Sequence, residues 1–427
     1  MQPQMRMFKG PLLLAVPLLF LVAINPVISY AATTIPTAFN FQGSGFGHGI
    51  GMSQIGARAQ ALEGRTASQI LRYYYSYVTV EPFKDDQLLR VNIGHLLTNF
   101  SLRTDTPLGQ VQIIAGDVKD SLSIEPLRVM PAMGQVNFTL LGDVAFPTLL
   151  APDGTVDSLP SGTSWTIRWT GTSYLEGPPT NVLFVNGKVT TKYRYGQIQV
   201  KLVKTAVLGY RIEVTNTVRL HDEYLWGIGE VPSSWPLASL QAQAIAARTY
   251  ALNKGGSIKT SCDCNIYGSS QDQAFVGFSK ESEPIYGKLW KAAVSSTSTD
   301  DTTGLAILFN SKPIGAYYSS SSGGITESSQ SAWGTALTYA ISVPDPWSLD
   351  PNYNSRYAKW TRSVTQALAS SALGLPDVVS LQIVSRNSSG TVAKIMGTSS
   401  NGKKVTISGV VFQSRTKLPS TWFGIVS

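Results

Sequence analysis

Glu230 occupies a sequence environment that suits acid–base chemistry. The surrounding residues 225–232 read LWGIGEVP, so its neighbours are apolar or glycine and a proline-led helix follows closely. Apolar surroundings disfavour the charged carboxylate and raise its pKa, and a raised pKa suits a general acid at neutral pH. The alternative is a structural glutamate that bonds the N-terminus of the following helix. The pattern alone leaves both interpretations open.

His48 is the second candidate, because glycines flank it on both sides. Residues 45–52 read GFGHGIGM, and this density of glycine indicates positive φ angles or close approach of the backbone to another group. An uncrowded imidazole at His48 is available to contact a ligand. The alternative is a histidine bonded within a tight turn, and a metal site built on this histidine alone is disfavoured.

Four other positions bear on possible chemistry. Cys262 and Cys264 are separated by one residue, which predicts a strained disulfide, with free thiols and a metal site as alternatives. Arg248 lies on the helix after Glu230. It is interpreted as a buried ion-pair partner, with a ligand contact as the alternative. Glu327 is a second carboxylate, and its default interpretation is a surface acid.

The composition excludes several classes of protein. Charged residues make up 14% of the 427 residues, against roughly 25% in an ordinary soluble protein, while 43% hydrophobic residues supply a real core and exclude wholesale disorder. Three histidines leave little room for a multi-histidine metal enzyme. The net charge of +8 is modest and not clustered, so nucleic-acid binding is not expected. A cationic exported protein suits an anionic cell-wall polymer.

The first residues predict an export signal. Arg6 and Lys9 precede an apolar stretch over residues 11–24, and small residues follow at 29–33, which is typical of a cleaved signal peptide covering residues 1–31. The alternative is a retained membrane anchor. Because Pro17 interrupts the apolar stretch, it is short for a membrane span.

Residues 90–220 are predicted to be β-rich, because short alternating runs recur between turn signals. A sandwich-like or barrel-like module is the plain expectation. The predicted strands cover residues 89–93, 111–114, 136–141, 165–169, 182–185, 198–203 and 210–214.

Helices are predicted on either side of the β-rich region. One covers Ala57 to Tyr75. Another opens with Pro236 at its first position, carries a narrow face of small residues and stops near Gly255. Residues 352–374 form one more helix candidate, and residues 376–427 are predicted to return to strands.

Four sequence blocks resemble the family of SpoIID and the LytB amidase enhancer. Together they span most of the chain beyond the predicted leader, and the central and glycine-rich blocks are the specific ones. The blocks are EVPSSWP and QAQAIAARTYAL within residues 220–252, YYSSSSGGITE at 317–327 with WG at 333–334, GFGHGIGMSQIGA at 45–57, and LPSTWF at 418–423.

The resemblance implies an α+β fold, with helices packed on sheets in a SpoIID-like core plus a β-rich accessory region. In the family the GHG block normally follows the STWF-type block, whereas here it comes first. This order suggests a circular permutation, which needs the two ends to lie close together. We therefore expect residues 39–44 and 420–427 to meet as neighbouring strands or turns. The implied organisation is a permuted GHG block at 32–86, a β-rich domain at 87–217 and a catalytic core at 218–427.

The resemblance also implies lytic transglycosylase chemistry on peptidoglycan glycan strands. Glu230 falls on the family's catalytic glutamate, whose implied role is to protonate the glycosidic oxygen and then to take the proton from the sugar's own hydroxyl. That step closes a 1,6-anhydro ring, so the acid pair of ordinary glycosidases is not needed. Residues 270–275 are expected at the cleft. The implied substrate-binding residues are His48, Gln54, Gln243, Arg248, Gln273, Tyr318, Ser320 and Ser321.

Two features of the family limit what the resemblance implies. Some members bind zinc through a histidine and a cysteine in the second block; the matching positions here are Ser319 and Ser322, so no cofactor is expected and zinc is disfavoured. Other members are amidase enhancers rather than glycan-cutting enzymes. The alternatives are therefore a non-catalytic wall-binding protein that activates a cell-wall amidase, and a structural wall protein. All three imply a secreted or wall-associated protein.

Overall fold

The computed structural model describes Met1, residues 34–119 and residues 124–426. The predicted signal peptide lies outside the described residues and stays a prediction. Within the described part of the chain, no helix combines the length and apolar character needed to cross a lipid bilayer.

The glycine-rich segment leads into two short helices rather than the single predicted helix over Ala57 to Tyr75. Gly64 adopts a φ of +87° and turns the chain, and Thr66 then starts a new helix with a capping box to Gln69. The prediction was wrong here because the helical apolar spacing runs on through this turn. The elements are β1 (Ala38–Gly43), β2 (Met52–Ser53), α1 (Gln54–Leu62), α2 (Ala67–Tyr74) and β3 (Thr79–Lys84).

The β-rich region forms two antiparallel sheets, and each predicted strand is confirmed. One sheet has the order β10-β9-β8-β5-β12-β13, and the other β16-β4-β15-β14-β11-β6-β7, with β16 parallel to β4. The strands are β4 (Leu88–Leu97), β5 (Asn99–Thr104), β6 (Val111–Ala115), β7 (Arg128–Met130), β8 (Gln135–Leu141), β9 (Val144–Leu150), β10 (Val156–Ser158), β11 (Ser164–Trp169), β12 (Val182–Asn186), β13 (Val189–Tyr193), β14 (Gln197–Thr205), β15 (Gly209–Arg219) and β16 (Ile266–Tyr267).

A long buried helix, α3 (Leu237–Lys254), organises the next part of the chain. Pro236 is its N-cap rather than its first helical residue. The face of small residues is fully buried at Ala244 and Ala247 and lets α1, α2 and α5 pack against α3. The remaining elements here are a π-helical turn (Leu220–Tyr224), α4 (Phe278–Glu281), α5 (Gly287–Ser295), β17 (Ser298–Asp300), β18 (Thr303–Phe309), β19 (Lys312–Pro313), β20 (Tyr318–Ser319), α6 (Ser329–Trp333) and a 3₁₀ turn (Pro346–Leu349).

The C-terminal part mixes strands and helices more than the sequence predicted. The helix candidate over 352–374 is a strand followed by a helix, since Thr365 caps the helix and accepts from the backbone N–H of Leu368. Residues 376–427 include a helix that Ser408 caps. The elements are β21 (Trp360–Thr365), α7 (Gln366–Leu373), β22 (Ser380–Arg386), β23 (Val392–Thr398), β24 (Lys404–Ser408), α8 (Gly409–Thr416) and β25 (Phe423–Val426).

The two ends of the described chain meet in one sheet. β1 lies between β21 and β25 and runs antiparallel to both, with Phe41 opposite Ile425 and Gly43 opposite Phe423. The predicted meeting of residues 39–44 with residues 420–427 is thereby confirmed. This closeness is what a circular permutation requires, and the permutation itself stays a prediction.

Buried apolar side chains form two clusters. The larger extends from Met52 to Ala316 and combines the β-rich strands with α3 and its neighbouring helices. The smaller joins Phe39 and Phe41 of β1 to residues between Trp360 and Phe423. The predicted boundary between 217 and 218 therefore does not separate two cores. The structure is a mixed α+β fold, as expected.

Candidate active site

A short stretch of backbone pairing holds the loop that carries Glu230. The backbone N–H of Gly229 donates to the carbonyl of Ala274 at 2.8 Å, and the N–H of Val276 donates to the carbonyl of Gly227 at 2.8 Å. A Cβ on Gly227 would lie 2.4 Å from the ring of Phe275, so only glycine allows the two segments to approach this closely. The loop is therefore fixed against residues 274–276.

The carboxylate of Glu230 is partly buried, and among the described residues the groups that donate hydrogen bonds to it are all neutral. Its Oε1 accepts from the backbone N–H of Ala274 at 2.5 Å, and the hydroxyl of Tyr318 and the amide of Gln54 also donate to it. Burial raises its pKa above that of an ordinary glutamate, against the opposing effect of these three donors. The predicted upward direction of the pKa shift is confirmed. The carboxylate bonds the backbone N–H of Ala274, whereas the alternative interpretation placed it at the N-terminus of the following helix.

A chain of hydrogen bonds orients the hydroxyl of Tyr318. The hydroxyl of Tyr224 donates to Oε1 of Gln273 at 2.7 Å, and Nε2 of Gln273 donates to the hydroxyl of Tyr318 at 2.8 Å. Tyr224 and Gln273 are fully buried, so turning the amide of Gln273 over would leave the proton of Tyr224 without an acceptor. Because the oxygen of Tyr318 already accepts from Gln273, its own proton goes to Glu230.

Two helices supply the glutamines near Glu230. Ser53 caps α1, and the parallel pairing of Met52 with Tyr318 brings the first residue of α1, Gln54, beside Tyr318. Nε2 of Gln54 also donates to Oε1 of Gln243 on α3 at 3.2 Å. Gln243 is 1% exposed, so it positions Gln54 and does not contact a ligand directly.

The imidazole of His48 is held within its own turn. Nδ1 accepts from the backbone N–H of Ile50 at 3.0 Å, and the other ring nitrogen donates to the backbone carbonyl of Tyr318. His48 is exposed on the side that faces the cleft, but the protein groups packed around the rest of the ring disfavour its charged form and lower its pKa, so the neutral ring predominates at pH 7. Both nitrogens are occupied, which matches the tight-turn interpretation, and only the ring surface remains to contact a ligand.

An open cleft of about 370 Å³ lies beside this arrangement. Tyr318 connects the cleft to Glu230. Its side chain lines the cleft, and its hydroxyl bonds the carboxylate of Glu230, which lies behind Tyr318. Tyr317 packs edge-on against Trp333 with ring centroids 4.6 Å apart, giving the aromatic wall typical of small-molecule sites. The remaining lining residues are His48, Tyr250, Lys254, Ser270, Gln271 and Asp272. Of the segment expected at the cleft, residues 270–272 therefore line it and residues 273–275 do not.

The structure does not bring every expected residue to the cleft. Arg248 is fully buried and pairs with Asp85, Nε to Oδ2, at 2.6 Å; it is an ion-pair partner and not a substrate contact. Ser321 is 1% exposed, and its Oγ accepts from Asn354 at 3.0 Å. Ser320 contributes its backbone carbonyl, which accepts from the N–H of Ile55 at 3.0 Å.

A match to a known family covers the part of the chain that carries Glu230. Residues 209–301 match the family model described as SpoIID, stage II sporulation protein. Residues 209–301 are therefore similar to a SpoIID domain.

Curated proteins similar to this chain carry two kinds of name. It is 32% identical over 116 residues to the amidase enhancer of Bacillus subtilis (strain 168), which covers 27% of this chain and 14% of that protein. It is 29% identical over 163 residues to stage II sporulation protein D of the same organism, covering 36% of this chain and 46% of that protein. The chain therefore spans less than half of either relative. No solved structure matches it.

The expectation for Glu327, in the second of the four sequence blocks, was wrong. Glu327 is 3% exposed rather than a surface acid. Its carboxylate accepts from the side chains of Asn387 at 3.1 Å and Ser389 at 2.7 Å, and from the hydroxyl of Thr391. Burial of a carboxylate is tolerated where several donors bond it. Glu327 thus fastens the second block to the C-terminal residues.

The structure also defines the state of the two cysteines and the surroundings of Ser322, one of the two positions where some family members carry zinc ligands. Cys262 and Cys264 form a disulfide with their Cα atoms 5.1 Å apart, which removes free thiols and a cysteine metal site as alternatives. Ser322 donates its hydroxyl to Asp345 at 2.6 Å. Serine hydroxyls are not the ligands that structural zinc prefers, so the residues at these two positions do not fit a zinc ion.

Sequence reasoning missed several residues of the site. Tyr224, Tyr317 and Trp333 lie in the recognised blocks, but nothing in their spacing shows that they meet. Lys254 is the last residue of α3 and reaches the cleft from the helix end. A signal was present in the aromatic residues of the second block, since exposed aromatic side chains near a carboxylate are typical of ligand sites.

Proposed function

We propose that this chain acts on the cell wall as a lytic transglycosylase that cleaves peptidoglycan glycan strands, with Glu230 as its only acid–base residue. The observation that carries the proposal is a carboxyl group with a raised pKa, bonded by neutral donors, immediately behind an aromatic cleft. The family match and the names of the relatives support a function at the cell wall.

In the proposed reaction Glu230 gives one proton and then takes up another. Protonated Glu230 gives its proton to the glycosidic oxygen as the bond from that oxygen to C1 breaks, and the leaving sugar departs as an alcohol. The resulting carboxylate then takes the proton of the C6 hydroxyl while the C6 oxygen bonds to C1. The product carries a 1,6-anhydro ring, and no water is consumed.

The other carboxylate at the cleft is committed elsewhere. Oδ1 of Asp272 accepts from the hydroxyl of Tyr250 at 2.7 Å, and Oδ2 accepts from the backbone N–H of Tyr267 at 2.9 Å. Lys259 also pairs with Oδ2 at 3.3 Å. A hydrolysing glycosidase needs a second carboxylate that is free to act as a base or nucleophile. The bonding of Asp272 therefore favours the single-acid mechanism.

Replacing Glu230 by glutamine tests the proposal. The amide keeps the shape and retains an acceptor for the N–H of Ala274, but it has no proton to give. Incubated with purified peptidoglycan, wild type should release fragments with anhydro ends, measured by mass spectrometry, and Glu230→Gln should release at most about a thousandth as much, since general acid–base catalysis contributes 10²–10⁴-fold. Glu176→Gln makes the same change at an exposed position and should leave the rate unchanged. Equal rates for Glu230→Gln and wild type would overturn the proposal.

The relationship to an amidase enhancer favours a second candidate function. In that case the cleft binds glycan without cutting it, and the bound chain stimulates a separate amidase. The measurement is the rate of a purified cell-wall amidase with and without this chain. Stimulation by wild type and Glu230→Gln alike, with no anhydro products from either, would identify an enhancer. Under both functions the protein is exported or wall-associated.

A further inference from the structure

A second cleft lies between the π-helical turn at Leu220–Tyr224, the end of α5 and the turn that joins β17 to β18. Its volume of about 410 Å³ falls in the usual range for small-ligand sites. It shares no lining residue with the cleft beside Tyr318. Its charged and aromatic lining consists of Arg219, His221, Asp222, Trp226, Asp300 and Asp301.

His221 presents an unused ring nitrogen to this cleft. The residue is 6% exposed, and Nδ1 lies 2.6 Å from Oδ1 of Asp85. Oδ2 of the same carboxylate accepts from Arg248 at 2.6 Å, so Asp85 is a buried acceptor and Nδ1 of His221 carries a hydrogen. In the neutral ring, Nε2 then offers a lone pair. Across the described residues, no group bonds Nε2.

The charges around His221 are predominantly negative. Arg219 bonds Asp222 through Nε at 2.8 Å, which leaves Asp300 and Asp301 without a basic partner at salt-bridge distance in the described part of the chain. Asp300 and His221 line the same cleft. Apart from the imidazole, the lining contains three carboxylates and one guanidinium, which together carry two net negative charges.

Trp226 supplies the apolar wall of this cleft. One face of its indole ring is covered by Nζ of Lys291, 3.8 Å from the ring centroid, and Lys291 pairs with Glu281 at 2.8 Å. The positive charge of Lys291 is therefore compensated by Glu281, which does not line the cleft. The remaining indole surface at the cleft is suited to methylene groups and to the aromatic attraction of a cation.

We propose that this cleft binds a primary ammonium group carried on a short aliphatic chain. One N–H donates to Nε2 of His221, the positive charge faces Asp300 and Asp301, and the methylene groups lie against Trp226. Ser295, Ser298 and Thr299 also line the cleft, but none of their hydroxyls bonds Nε2, so the Asp85–His221 pair is not a preassembled nucleophile-activating triad. The ammonium group belongs either to the side chain of a wall peptide or to a free diamine.

Histidine-selective NMR tests this site directly, because the chain has three histidines and His221→Gln assigns the relevant signal. The probes are 1,5-diaminopentane and Nα-acetyl-lysine amide. Both should shift the His221 signal saturably and leave His48 and His95 unmoved. Nα,Nε-diacetyl-lysine amide lacks the ammonium group and should cause no shift. No movement of His221 with either amine, or an equal shift with the diacetylated control, would overturn the proposal.

A carboxylate variant and a carboxylate control at a distant position keep the test independent of His221. Asn at position 300 retains an acceptor for the N–H of Thr302, so Asp300→Asn combined with Asp301→Asn should fold normally and weaken amine binding about tenfold. Asp143→Asn changes a charge at an exposed turn and should leave affinity unchanged. Equal affinity in all three proteins refutes the site.

The same titration separates the two sources of the ammonium group. A soluble wall peptide with a free side-chain amine should bind more tightly than the diamine if the peptide is the ligand. Binding of the diamine alone would assign the cleft to free amines. Because no glycan is cut in these assays, the outcome does not depend on the proposed enzymatic activity.

Discussion

Replacing Tyr318 by phenylalanine removes one oxygen and, with it, a donor to the carboxylate of Glu230. The hydroxyl of Tyr318 stabilises the charged form of Glu230, so it holds the pKa below the value that burial alone would produce. Removing the hydroxyl should therefore raise the pKa of Glu230 further. The protonated acid would persist to higher pH, and the alkaline limb of the pH–rate profile should move upward.

The size of the shift follows from the strength of the lost bond. A hydrogen bond to a charged group contributes about 1.5–3 kcal/mol, and one pKa unit corresponds to about 1.36 kcal/mol. Ala274 and Gln54 continue to donate to the carboxylate, and water reaches this partly buried side chain. The lower end of the range is therefore appropriate, and we expect a shift of about one pKa unit.

The assay is the rate of anhydro-product release from soluble glycan strands between pH 4 and pH 9, measured as kcat at saturating substrate. Tyr317→Phe is the matched control, since Tyr317 lines the same cleft and does not bond Glu230. An alkaline limb that stays in place for Tyr318→Phe, or moves to lower pH, would refute the role of Tyr318. A shift of equal size in Tyr317→Phe would assign the effect to the cleft surface instead.

Three further predictions concern stability. Glu327→Ala leaves the side chains of Asn387, Ser389 and Thr391 without their acceptor and should lower the free energy of unfolding by about 3 kcal/mol or more in urea denaturation; a loss below about 1 kcal/mol would show that these bonds contribute little. Reducing the Cys262–Cys264 disulfide opens a loop of only a few residues and should lower the free energy of unfolding by about 1.5 kcal/mol on chain-entropy grounds. The loss is measured from the shift in denaturation midpoint with and without reductant, and an unchanged midpoint would contradict the prediction. Because the pKa of Glu230 is raised in the folded state, its contribution to the stability of the wild type is fully present below the unfolded carboxyl pKa and is lost as pH rises through the folded value. Glu230→Gln should therefore gain stability relative to wild type between pH 4 and pH 8. A constant difference in stability across that interval would contradict the raised pKa.

Local patterns predicted much of the fold. Alternation of apolar residues identified the β-rich strands because each side chain's direction in a strand depends only on its position in the chain. The pKa direction of Glu230 was also predictable, since its apolar neighbours in sequence remain its neighbours in space. The order of the family blocks predicted that β1 and β25 would meet, and they pair residue by residue.

Features that depend on distant residues were not predictable. The donors that bond the buried Glu327 lie about sixty residues further along the chain. The partner of the buried Arg248 is Asp85, 163 positions earlier. The bonds from Tyr224 through Gln273 to Tyr318 connect three separate segments. No local pattern records such contacts, because polar residues are equally compatible with solvent until their partners are known.

The central position of β1 in its sheet sets an order of assembly. As the chain emerges from its N-terminal end, β1 is among the first elements to appear, yet both of its partners come more than 300 residues later. Until then its backbone donors and acceptors stay unpaired, and joining them closes a very long loop at a substantial cost in chain entropy. The smaller cluster can therefore form only once residues 360–426 have been made, after all residues of the larger cluster, so β1 is the first strand of the described residues to appear and is paired late.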